Sequence, residues 1–320
     1  MENKPVGKLF DWIGGKKWLS SELQSEVKAI ISKNKFSYYV EPFAGGLGSF
    51  MALAPILEEA GVEKVYLNDA NYVLINFFKC VKSDPDQLYK EFLKIEKAFV
   101  ATLTEKSKTL NKTRDKAEMK KELVPAHNFY NKKRSEFNSL KKEQKELDHK
   151  VSGLFLFLQA HCFNGVYREN GSGEHNVPFN WDSKVVHLEN KEATLKYYNK
   201  FFKKMKVEFY NLDSFSFLDK LDTKNQNKTL FYFDPPYLNP EEKSSENKYT
   251  KVGFFKKDQI KLIEFFNSCK MAIYSNHDLP EINKNIKATK KKTVYRKNFF
   301  SSDKDTRENA VAEILAVKNE

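Results

Sequence analysis

Tyr38-Tyr39-Val40-Glu41-Pro42-Phe43-Ala44-Gly45-Gly46-Leu47-Gly48-Ser49-Phe50 is the stretch whose reading decides the fold. Tyr38-Tyr39-Val40 is a short β-rich apolar run. The glycines at 45, 46 and 48 let the backbone bend sharply and approach a ligand closely. Leu47 to Glu59 then has helical character. Amides at the start of such a helix suit a polar or anionic group. Downstream, Val65-Tyr66-Leu67-Asn68-Asp69 puts a carboxylate at the end of the next strand, where an acid bonds ribose hydroxyls in nucleotide-type sites. A glycine cluster by itself also serves a bare structural turn. Joined to a strand, a helix and a strand-end acid, it predicts a nucleoside-like cofactor. The order is not G-x-G-x-x-G, which counts against NAD and FAD.

Working outward, further β-rich runs are Val207-Glu208-Phe209, Leu230 to Phe233, Met271 to Tyr274, Thr293-Val294-Tyr295 and Ala312 to Val317; Asp258 to Asn267 has helical character. Strands alternating with helices predict an α/β fold, with a mainly parallel sheet and helices on both faces. Between about Val81 and Tyr198 this rhythm breaks. Leu88, Phe92, Ile95 and Phe99 recur at helical spacing, a charged zone follows from Glu105 to Lys121, and Phe163-Asn164-Gly165 through Gly173 is rich in Gly and Asn. The expected organisation is therefore a sheet domain of residues 1–80 and 199–320. A mainly helical domain, 81–198, is inserted in it and ends near a hairpin or loop.

Leu230-Phe231-Tyr232-Phe233-Asp234-Pro235-Pro236-Tyr237 reads as a buried-type strand stopped by a rigid corner. Neither proline can donate a backbone hydrogen bond. The corner therefore offers acceptors, the Asp234 carboxylate and the Pro235 carbonyl first among them, with the Tyr237 ring ready to stack on a planar base. Acceptors suit an amino group. An exocyclic amino nitrogen conjugated with its ring is a poor nucleophile; hydrogen bonds from its two N–H groups to fixed acceptors localise its lone pair and offset developing charge. Attack on a sulfonium methyl needs position and electrostatics but no metal. An Asp-Pro turn that merely ends a strand is the plainer alternative, but α/β sites lie at carboxyl ends of strands.

Bulk properties agree with a polyanionic partner. The 320 residues carry 55 Lys+Arg against 43 Asp+Glu, a formal net charge of +12. A solvated lysine surface would give the same number, and Lys290-Lys291-Lys292 reads more simply that way. Arginine is confined to positions 114, 134, 168, 296 and 307. Cys80, Cys162 and Cys269 are few and far apart, so neither a zinc site nor a disulfide framework is implied. Without an apolar signal segment or a bilayer-length apolar run, the expected compartment is the cytoplasm, with no membrane partner.

These residues resemble the Dam-like (α-class) family of N6-adenine-specific DNA methyltransferases over most of the chain. Trp12-Ile13-Gly14-Gly15-Lys16 looks like its W-x-G-G-K cofactor element, Glu41 to Gly46 like its glycine loop, and Asn68-Asp69-Ala70-Asn71 like its ribose-binding element. Phe163 to Arg168 and Asn176-Val177-Pro178-Phe179 resemble its DNA-contacting region. Asp234 to Tyr237 match its catalytic tetrad; Ser275 to Asp278, and Tyr295-Arg296 through Ala316, resemble its closing strands. The charged zone before Val124 is longer than the family pattern.

The resemblance implies a Rossmann-like S-adenosylmethionine-dependent methyltransferase fold with a seven-stranded, mostly parallel sheet. It implies S-adenosyl-L-methionine as methyl donor, held by Trp12, Lys16, Phe43, Gly45, Asp69, Asp213 and Asp234, with no metal. The catalytic set is Asp234, Pro235, Pro236 and Tyr237. Asn164, Arg168 and Asn170 are the candidates for contact with double-stranded DNA, although Asn164-Gly165 also suits a plain hairpin turn. The target adenine must leave the duplex to reach the donor. A monomer of bacterial or phage origin is expected, standing alone or beside a restriction endonuclease that acts separately, with GATC as the first target to try. Two alternatives stand. One is methylation of another amino group, N4 of cytosine, an RNA base or a protein glutamine. The other is a catalytically silent DNA-binding relative.

Overall fold

The computed structural model describes residues 7–12, 16–104, 120–181, 188–221, 223–237, 254–297 and 310–320. Two compact units share the chain: Gly15–Ala70 with Met205–Glu320, and Met1–Gly14 with Asn71–Lys204. The charged zone lies mostly outside the described residues, as do Ile13, Gly14 and Gly15.

The first unit is built on one seven-stranded sheet. Its strands are β1 (Tyr38–Glu41), β2 (Lys64–Asn68), β3 (Val207–Tyr210), β4 (Thr229–Phe233), β5 (Met271–His277), β6 (Lys290–Lys297) and β7 (Ala310–Asn319), in spatial order β3-β2-β1-β4-β5-β7-β6. Every β-rich run found in the sequence lies in one of them. The first five strands pair in parallel, with Val40 beside Phe231 and Tyr66 on its two flanks. The seventh inserts antiparallel between β5 and β6. Every residue of β4 is buried, as expected of a central parallel strand covered on both faces. Alternate residues divide between the faces. Val40, Phe231, Phe233, Ala272, Tyr274, Ile314 and Ala316 cluster with Phe217 and Leu218 of the helix Ser214–Lys220 and with Leu262, Ile263 and Phe266 of the helix Lys256–Ser268. On the other face, Tyr39 stacks on Phe50 of the helix Gly48–Glu59, with ring centroids 6.2 Å apart.

The parallel neighbours β2 and β3 are joined through residues 69–206, and this connection carries the second unit. That unit is helical, with helices Tyr72–Ser83, Pro85–Val100, Val124–Leu140, His149–His161 and Leu188–Lys204. The predicted stripe Leu88, Phe92, Ile95 and Phe99 is buried. Glu96, on the same helix, pairs with His161 at 2.8 Å with both side chains fully buried. Helices Pro85–Val100 and His149–His161 approach closely at Gly153. A Cβ there would lie 2.9 Å from Glu91 Cβ and 3.0 Å from the Phe92 backbone nitrogen. Alanine would add up to about 1 kcal/mol of helix propensity, but overpacking of a backbone contact costs about 1–3 kcal/mol. Gly153→Ala is therefore expected to lower the urea midpoint at unchanged m-value. A midpoint at or above wild type would show that the helices separate freely.

Candidate active site

Three loops at the carboxyl ends of β1, β2 and β3 form one hydrogen-bonded structure. Its centre is Asn68, fully buried at the end of β2. Asn68 Nδ2 donates to the Pro42 and Leu212 carbonyls, each at 3.0 Å, and its Oδ1 accepts from the Leu212 amide at 3.0 Å. The Ala44 amide donates to the Asn68 carbonyl at 2.8 Å. The glycine turn is thereby tied to the two neighbouring loops. Gly45 takes a φ of +47°, in the region that favours glycine, and its amide donates to Asp69 Oδ2 at 2.9 Å. Asn211 Nδ2 donates to the Asp69 carbonyl at 2.9 Å. Asp213 lies beyond β3 as the N-cap of the helix Ser214–Lys220. Its Oδ1 accepts from the Ser216 and Phe215 amides at 3.0 and 3.2 Å; the Ser216 side chain first, and then these amide bonds, hold its carboxyl below the ordinary aspartate range. Phe43 meets Phe254 edge to face, ring centroids 5.4 Å apart.

The tetrad follows β4, which is the neighbour of β1. The Asp234 side chain keeps 17% exposure and sits 3.1 Å from Lys16 Nζ. Ser275 Oγ, on β5, donates to Asp234 Oδ1 at 3.2 Å and exchanges a 2.9 Å bond with the Tyr232 hydroxyl. Burial raises the Asp234 carboxyl above its ordinary range, against the opposing pull of Lys16. Lys16 Nζ also lies 3.2 Å from Glu313 Oε2 on β7 and bonds the Tyr237 hydroxyl, which donates to the same Glu313 oxygen at 2.7 Å. The corner is held from behind as well. Gln259 Nε2, on the helix Lys256–Ser268, donates to the Pro236 carbonyl at 2.7 Å, while its Oε1 accepts from the Tyr274 hydroxyl at 2.9 Å and Asn276 Nδ2 at 3.0 Å. Glu41, at the end of β1, is fully buried and accepts from Tyr39 and Ser49; burial pushes its carboxyl up to about 8.

The remaining candidates lie in the helical unit. Trp12 stacks on Tyr167 at 5.6 Å and meets Phe10 edge to face. Asn164, with φ +57°, and Gly165, with φ +62°, make the tight turn that follows exposed Phe163. Arg168 is exposed, and its Nε donates to Asn176 Oδ1 at 2.8 Å. Asn170 organises the loop tip: its Oδ1 accepts from the Glu174 and Ser172 amides at 2.9 and 3.0 Å. The helix Val124–Leu140 clasps this segment through its backbone. Tyr130 Oη and Arg134 donate to the Val177 carbonyl at 2.9 and 2.8 Å, and Asn138 bonds both the amide and the carbonyl of His175.

Against known proteins, the family model for D12 class N6 adenine-specific DNA methyltransferases matches residues 12–301. The chain belongs to that family. Among its relatives, the type II methyltransferase M.MjaIII of Methanocaldococcus jannaschii is 29% identical, over 98% of this chain and 99% of that protein. Type II methyltransferase M1.LlaDCHI of Lactococcus lactis subsp. cremoris is 28% identical over 80% of this chain and 74% of its own length. The DNA adenine methylase of Haemophilus influenzae is 25% identical, over 96% of this chain and 91% of its own length.

In this adenine-specific DNA methyltransferase, then, Lys16, Asp234 and Tyr237 come together, as do Gly45 and Asp69. Sequence reasoning gave Gln259 no place in the site, and it quoted Asn68, Ser275 and Glu313 only within motifs, without a role for any of them. Glu313 did leave a signal, a single acid inside the apolar run 312–317, which is the pattern of a buried charge with a partner. Gln259 and Ser275 left none, because their partners come from other elements. Among the described residues, no group of three or more His, Cys, Asp or Glu could hold a metal ion, and no helix is long and apolar enough to cross a membrane.

Proposed function

We propose that this methyltransferase moves a methyl group from S-adenosyl-L-methionine to N6 of an adenine flipped out of double-stranded DNA, by direct in-line transfer. The observation that carries this reading is the Asp234-Pro235-Pro236-Tyr237 corner, fixed by Ser275, Lys16 and Gln259 at the end of β4. The cofactor fits the residues present. Gly45 turns the chain tightly, and carboxylates at adjacent strand ends, Asp69 for ribose hydroxyls and Asp213 for the adenine, offer the acceptors a nucleoside requires. Lys16, Phe43, Trp12 and Asp234 complete the proposed cofactor set. When bound, the donor supplies an activated methyl on sulfonium.

The protein's own part is positional. Asp234 and the Pro235 carbonyl accept the two amino N–H groups and hold the nitrogen lone pair toward the donor, while the Tyr237 ring stacks on the base. Flipping is required because N6 inside a stacked duplex cannot reach the donor. The inserted helical unit is assigned to target recognition, with Asn164, Arg168 and Asn170 at or behind its contact surface. Asn170 acts there by shaping the tip that displays its neighbours. A monomer working in the cytoplasm, alone or beside a separate restriction endonuclease, completes the reading.

The test is nucleoside analysis of duplex DNA incubated with the protein and the methyl donor. N6-methyladenine is the expected product. N4-methylcytosine would move the activity to the other amino group. Binding of DNA with no product and no cofactor binding would establish the silent relative.

A further inference from the structure

Lys16 is shared between two carboxylates. Its Nζ stands 3.1 Å from Asp234 Oδ1 and 3.2 Å from Glu313 Oε2, and the Tyr237 hydroxyl donates to that same Glu313 oxygen at 2.7 Å. Glu313 is fully buried in β7, where the antiparallel register sets it opposite His277 of β5. A carboxylate in such a strand is costly unless cations and donors satisfy it. Asp234 has work to do with an incoming amino group; Glu313 reaches it only through Lys16 and the Tyr237 hydroxyl.

We infer that Glu313 is a positioning residue for methyl transfer: it draws the Lys16 ammonium off Asp234 when the substrate amino group arrives, and it anchors the Tyr237 ring by its hydroxyl. The inference rests on the function proposed above. An ammonium has three donors and no acceptor, so while Lys16 sits on Asp234 Oδ1 it competes with an arriving amino group for the charge of that carboxylate. Glu313 is the neighbour that receives the ammonium without stranding a buried charge. With Glu313 neutralised, the ammonium closes on Asp234 alone and competes with the substrate.

The experiment is Glu313→Gln, which keeps the shape and an acceptor for Tyr237 but removes the charge. It is assayed by N6-methyladenine formation in the full chain. The kcat is expected to fall about 10- to 100-fold, the scale of a small misplacement of reacting groups, with the KM for both substrates changed little. The acid limb of the kcat profile should also move to lower pH. Its sign follows from charge: Asp234 must be ionised to accept, the Glu313 charge raises its carboxyl, and removing that charge lowers it. The other groups acting on Asp234 are Lys16 and Ser275, with Glu41, Tyr232 and Tyr274 sensing its charge in turn.

Glu313→Asp keeps the charge on a shorter stem; it should hold the wild-type acid limb and recover part of the rate. Should Glu313→Gln fail to fold, Glu313→Asp carries the test by its reduced kcat at an unmoved limb, and a full wild-type rate overturns the inference. A folded Glu313→Gln with unaltered kcat and acid limb overturns it too. A wild-type chain that makes no N6-methyladenine overturns both readings, whereas wild-type product with an indifferent Glu313→Gln overturns this one alone.

Discussion

Asp234→Ala is expected to lower kcat by about 10²–10³-fold, the loss seen when one preorganised polar group at a developing charge is removed, equivalent to about 2.7–4 kcal/mol of transition-state stabilisation. The fold should survive, because the group left behind is not orphaned: Lys16 still faces Glu313 and the Tyr237 hydroxyl. Cofactor binding, followed by calorimetry, should stay largely intact, because the loops joined by Asn68 and the turn at Gly45 do not depend on Asp234. Asp234→Asn keeps an acceptor oxygen without the charge and should fall between alanine and wild type. Near-normal turnover in Asp234→Ala would remove the tetrad from the chemistry. A cofactor affinity that collapses along with kcat would instead make Asp234 chiefly a cofactor ligand.

Binding to duplex DNA should weaken by about 10³–10⁵-fold between 50 and 200 mM salt if about 6–10 phosphates are neutralised, because each lysine or arginine on a phosphate releases condensed counterions. The net charge of +12, carried almost entirely by lysine, supports an interaction of this kind. Arg168 is the side chain to separate from that background. Arg168→Ala should cost about 1–3 kcal/mol and blur discrimination at one base pair if the guanidinium forks to guanine, or lower the salt slope by about one if it meets a phosphate. It should leave the fold alone, since the side chain is exposed and bonded through Nε to Asn176. A flat salt response would contradict DNA as the partner. Unchanged site preference together with an unchanged slope would take Arg168 off the interface.

The strands of the sheet were legible because each is a short apolar run rich in β-branched and aromatic residues, and because the tetrad and the glycine turn mark two strand ends independently. The place of β7 was not legible. Nothing in Ala312 to Val317 says that it inserts antiparallel between β5 and β6, since that pairing is decided by which edges remain free. The lysines at 290–292 read as plain surface, yet they begin β6. An edge strand accepts them, and charge there discourages pairing with another chain. In the site, Lys16, Asp69 and Asp234 could be found because each sits in a short motif. Asn68 and Gln259 bond backbone carbonyls far along the chain, and such partners follow only from the finished topology.

The connection between β2 and β3 has a consequence for how such a chain can diversify. Parallel neighbours need a crossover of about a dozen residues at least, and here residues 69–206 supply it. Loop-closure entropy grows only with the logarithm of length, so going from that minimum to the present span costs the sheet about 2 kcal/mol. The link is thus a permissive slot, where whole modules can be lengthened, trimmed or exchanged while the chemistry beside it is left undisturbed.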